Sequence, residues 1–78
     1  MSHLDQPAAY GITVEGCVDE TLVGGGPVAI PSVVEDGDGA VTVLSGIVTD
    51  QAGLVGLIRH LHGLGIVLLS IERVAPRQ

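Results

Sequence analysis

Residues 41–74 read VTVLSGIVTDQAGLVGLIRHLHGLGIVLLSIERV, and this stretch decides the fold. Its first part continues a β-branched run, residues 40–48, of the kind that suits a pleated, half-buried strand. Thr49 or Asp50 then offers a side-chain oxygen to cap a helix start. Leu54, Leu57, Ile58 and Leu61 recur at helical spacing and form one apolar face, with Val55 at its margin. Arg59, His60 and Gly56 fall on the opposite side. Gly63 and Gly65 close the helix, because glycine relieves the left-handed turn that ends helices. A last strand is expected over residues 66–74. The unit is strand, helix, strand, and a right-handed crossover would leave its two strands parallel.

Upstream, Tyr10, Ile12, Val14 and Val18 alternate with Thr13, Glu15 and Cys17, which predicts a strand with Gly16 as a bulge. Residues 19–27 form a connection whose Gly24-Gly25-Gly26-Pro27 run is costly to order in any regular element. Residues 28–34 form a second strand. Pro31 lies within it and cannot donate to a ladder, so an edge position or a break is expected there. Glu35-Asp36-Gly37-Asp38-Gly39 reads as a tight acidic turn joining strands two and three into a hairpin. Together these elements predict an α+β domain over residues 10–74. It has a small, mostly antiparallel four-stranded sheet, with one helix packed on one face. Residues 1–9 and 75–78 read as flexible tails.

Seventy-eight residues make one domain, and a core this small is a marginal source of stability. Cys17 is the only cysteine, so no internal disulfide can help, and no Cys/His set has zinc spacing. The apolar content is 46% with a single aromatic residue, Tyr10, so the core must be aliphatic. With one helix for two sheet faces, the second face is either polar or covered by something else. Self-association, as a homodimer, is the natural supplement.

Charge excludes two classes of partner. Nine acids oppose Arg59, Arg73 and Arg77, with no lysine, for a formal net charge of −6. Nucleic acid and anionic membrane surfaces both need cationic groups, so neither is expected as a partner. No basic start followed by an apolar run opens the chain, so no signal peptide is read and a cytoplasmic location is expected.

No catalytic set stands out, and a non-enzymatic role without cofactor or metal follows. His60 and His62 are two apart and diverge on a helix, unlike a metal-binding i, i+4 pair. Asp36 and Asp38 resemble the opening of a calcium loop, but position twelve of such a loop, counted with Asp36 as the first, is Ile47 rather than an acid. The glycine run lacks the Lys-Ser/Thr of a phosphate-binding loop. Cys17 has acidic neighbours and nothing to lower its pKa. Ser32, Ser45 and Ser70 have no nearby histidine–acid pattern.

Leu44-Ser45-Gly46-Ile47-Val48-Thr49-Asp50-Gln51-Ala52-Gly53-Leu54, with Leu61, Leu64-Gly65 and Leu69-Ser70, resembles a group of small bacterial proteins. These have a Leu-Ser/Thr-Gly strand end, then Asp-Gln-Ala, a Leu-rich helix and a final strand. The resemblance implies a fold and no mechanism. Relatives of that pattern carry tryptophan and phenylalanine after the first strand, whereas residues 20–26 here hold no aromatic residue. A weaker resemblance is to ACT-type regulatory domains, on Asp50, Gly53, Leu54, Gly65 and Ile66. It implies a small-molecule ligand, such as an amino acid, at a subunit interface beside the helix start. Thr49, Asp50, Gln51, Gly53 and Leu54 would then be the ligand-binding residues. The first expectation remains an interaction module that dimerises, with this ligand-binding reading as its alternative.

Overall fold

The structure, a computed structural model, describes residues 6–23 and 27–74. The two tails (but for residues 6–9) and the Gly24-Gly25-Gly26 run therefore lie outside the described residues. Four strands and one helix follow in the order β1 (Ala8–Glu15), β2 (Ile30–Asp36), β3 (Gly39–Thr49), α1 (Gln51–Gly63) and β4 (Leu68–Val74). They form the expected α+β fold, with one four-stranded sheet in the order β2-β3-β1-β4 and every neighbouring pair antiparallel. Strands β3 and β4 flank β1 and so run parallel to each other, with α1 as the crossover between them.

The helix lies where its pattern puts it, whereas the strands depart from their expected bounds, β2 running over 30–36 rather than 28–34. Strand β1 starts at Ala8 because Ala8 and Ala9 pair with Thr49 and Val48 at the end of β3. It ends at Glu15 because Gly16, at φ 87°, turns the chain out of the ladder. Gly16 is thus a corner rather than a bulge. The irregularities lie instead where the β1–β3 register shifts between Tyr10 and Ile12, and the β1–β4 register between Thr13 and Val14. The hairpin pairs all the way to Asp36 and Gly39, which shortens its turn to Gly37-Asp38. Strand β4 starts two residues later than the pattern suggests. The amides of Gly65 and Ile66 are used in closing the helix, on the carbonyls of His62 and Leu61.

The core lies between α1 and one face of the sheet. Ile12, Val14, Leu44 and Ile47 from the central strands meet Leu54, Leu57 and Leu61 of the helix. Val18, Val23 and Ala29, from the connection between β1 and β2, extend the same core. Thr42 is the one buried polar side chain among the described residues. Its hydroxyl accepts from the Val18 amide at 2.9 Å and donates to the Gly16 carbonyl at 2.6 Å. The connection is thereby folded back over the sheet. The other sheet face has no such cover. It presents Val34 beside Val41, then Ser32, Val43, Thr13 and Ser70 in one row, then Val48, Ala9 and Val74.

Candidate functional site

The five residues named from sequence gather at the junction of β3 and α1. Thr49 is the last residue of β3, and Asp50 is the helix N-cap. The Asp50 carboxylate accepts from the Gly53 amide at 2.8 Å, and its carbonyl accepts from Leu54. A carboxylate here also sits favourably at the positive end of the helix dipole. Gly53 has a steric reason to be glycine: a Cβ there would overlap Thr49 Oγ1 and lie 3.2 Å from Thr49 Cβ. Leu54 is buried in the core, whereas Gln51 is exposed. The corner is therefore a close-packed helix start whose own aspartate occupies the anion-binding position. Cap, close approach and core anchor account for Asp50, Gly53 and Leu54 as residues that build the fold.

The other chemically reactive side chains are dispersed. Cys17 is exposed. No three His, Cys, Asp or Glu residues come together as a metal site among the described residues. His60 donates from Nε2 to the Leu22 carbonyl at 2.8 Å, a tie between α1 and the β1–β2 connection that the sequence did not suggest. Asp19 organises that connection by accepting from the Thr21 hydroxyl at 2.5 Å and the Thr21 amide at 3.0 Å. The Thr21 hydroxyl bond, with smaller help from backbone donors, holds the Asp19 carboxyl below the usual carboxylate range.

The surface with the strongest unmet demand is the β4 side of the molecule. Residues 69–74 are all exposed, and β4 has a strand neighbour on one side only. The direction of its free hydrogen-bonding groups follows from the ladder. The Glu15 amide donates to the Val67 carbonyl, so in β1 the odd-numbered residues address β4. Their partners Ser70, Glu72 and Val74 turn inward, which leaves the N–H and C=O of Ile71 and Arg73 on the open edge.

The helix also has a flank of mixed character. Taking Leu54, Leu57 and Leu61 as the centre of the buried face, a 100° step per residue puts Val55, Ile58 and His62 on one flank and His60 on the other. His60 is tied to Leu22 of the β1–β2 connection, so Val55, Ile58 and His62 make up the flank on the other side of the buried face. Val55 is 45% exposed, and Ile71 on the edge strand 43%. Sequence reading placed these residues on their elements but could not place β4 at an edge.

No helix among the described residues is long and apolar enough to cross a membrane. No curated protein and no solved structure matches the chain. One family model does, over residues 9–72, from within β1 to within β4. The chain belongs to that family, described as a domain of unknown function (DUF8691).

Proposed function

We propose that this domain is a non-enzymatic interaction module that works as a homodimer. One observation carries the reading: among the described residues, twelve large hydrophobic side chains are exposed against nine, besides Ala29, in the core. Scattered surface leucines and valines are ordinary, but here six of the twelve, Val34, Val48, Val67, Leu69, Ile71 and Val74, lie on the uncovered sheet face or along β4 and the residue leading into it. A domain of 78 residues without disulfide cross-links gains stability when such surface is buried by a partner. A second copy is the partner that is always present.

The test is the mass of the full chain in solution, by sedimentation equilibrium across a dilution series from tens of micromolar downward. The expected result is a reversible dimer of the 7.9 kDa chain. A single 7.9 kDa species throughout that range would refute the reading.

A further inference from the structure

We infer that the dimer is built by antiparallel pairing of β4 with β4 of a second copy, giving one continuous eight-stranded sheet. This rests on the dimer reading above and selects one surface for it. Three observations choose β4. Its outer backbone groups at Ile71 and Arg73 have no strand beside them, and an open edge is a ready template for another strand. Its sequence, LLSIERV, contains neither lysine nor proline, two residues that blunt such an edge, and its bulge at Leu69 and its charges at Glu72 and Arg73 lie on either side of an unblunted centre at Ile71. Its exposed apolar side chains are available to a partner: Ile71, opposite the core residue Ile12, and Leu69 and Val74 toward its two ends.

The competing surfaces fit less well. At the far edge, β2 pairs with β3 through Ser32 and Val34, so Pro31 directs its imide nitrogen outward and the edge lacks a donor there. The Gly16 amide bond to Ala40 sets this phase in β3, and the hairpin register carries it to β2. The open sheet face interleaves its valines with Thr13, Ser32 and Ser70 and carries Glu15 and Glu72. Stacking it on a copy of itself would bury those hydroxyls and bring carboxylates together in a chain already at −6.

Charge and size fit a second copy. A two-fold axis at Ile71 lets the two Ile71 residues exchange both backbone bonds. It sets Glu72 against Ser70 of the second copy and Arg73 against Leu69, so no like charges face each other. An axis at Glu72 would oppose two carboxylates. The seven residues of β4 give a seam about 23 Å long at 3.3 Å per residue. With the side chains along it included, a seam of this length removes on the order of 1,000 Å² in total, the lower bound for a specific interface.

The test uses three variants of the full chain and one measurement on the unmodified protein. Arg73→Pro removes an outward N–H without touching the β1–β4 ladder, and Ile71→Lys puts a charge at the centre of the seam. Each is expected to raise the dimer dissociation constant at least about tenfold. Val48→Lys, on the open face, is expected to leave it unchanged. Far-UV circular dichroism checks that each variant is folded. Amide hydrogen exchange on the unmodified dimer gives a second readout: Ile71 and Arg73 should be protected, and the protection should fade on dilution. A dimer that keeps its affinity in both β4 variants, or that exchanges Ile71 and Arg73 freely, overturns the seam. If Val48→Lys dissociates such a dimer, the interaction reading stands and only its surface changes. A monomeric unmodified chain overturns both.

Discussion

The Thr42 hydroxyl donates to the Gly16 carbonyl across 26 positions of sequence, at 2.6 Å, from a fully buried site in the middle strands. Since the same oxygen accepts from the Val18 amide, one side chain satisfies two backbone groups. Removing it strands both. Thr42→Val keeps the volume and is expected to lower stability by about 2–4 kcal/mol, since each unsatisfied buried group costs about 1–3 kcal/mol. Thr42→Ser keeps both bonds and should cost distinctly less. Urea unfolding of the two variants checks the ordering, and equal losses would mean that packing of the methyl group dominates.

The Gly53 contact makes a two-residue prediction. Gly53→Ala is expected to destabilise by about 1–3 kcal/mol through overpacking against Thr49, despite alanine being the better helix former. Adding Thr49→Ala removes the overlapping oxygen and should recover most of that loss. A double-mutant cycle by thermal unfolding measures the coupling. Additive losses would show that the crowding is relieved elsewhere.

At the same corner, Asp50→Ala removes the cap that holds the Gly53 amide and is expected to cost about 1 kcal/mol. Asp50→Asn retains an acceptor and should cost less. If Asp50→Ala is neutral in stability, the aspartate is not needed as a cap. Its conspicuous place in the sequence pattern would then call for a ligand after all.

Asp19 gives the acid limb of stability a small component. Its folded pKa lies below the ordinary value, so the ionised form is favoured by folding. That contribution is present above the ordinary carboxylate pKa and is lost as pH falls through the lowered folded value. The carboxyl is fully exposed, and the effect is correspondingly slight. Asp19→Asn should flatten the fall of the melting temperature in this acid range without changing its value near pH 7 by a comparable amount. A parallel acid limb in the variant would assign the fall to other carboxylates.

The elements themselves were largely legible. The 3.6-residue period of Leu54, Leu57 and Leu61 fixed α1 and its buried face, and Asp50 and Gly65 marked its ends. Pro31 pointed to an edge, and β2 is one. What alternation cannot convey is which strands become neighbours. The N-terminal β1 lies in the middle of the sheet, and β4, whose Leu68, Leu69, Ile71 and Val74 read as core residues, lies at the rim. Its side chains look like a buried strand because an interface strand and a core strand obey the same chemistry. The candidate residues 49–54 were legible as a motif. Their contacts, with Asp50 filling the helix start and Gly53 pressed on Thr49, depend on the exact backbone path and are not written in spacing.

Pro31 bears on how far assembly can proceed. When two copies join through β4, the rims of the enlarged sheet are two β2 strands, each with a proline nitrogen turned outward. Growth by further strand addition meets a missing donor on either side, so the particle is finite rather than a filament. Pro31→Val restores that donor and is expected to convert the closed pair into a chain-elongating species. Rising light scattering and thioflavin fluorescence with concentration would report it, and a variant that stays at two copies would show that the outer rim is protected by other means.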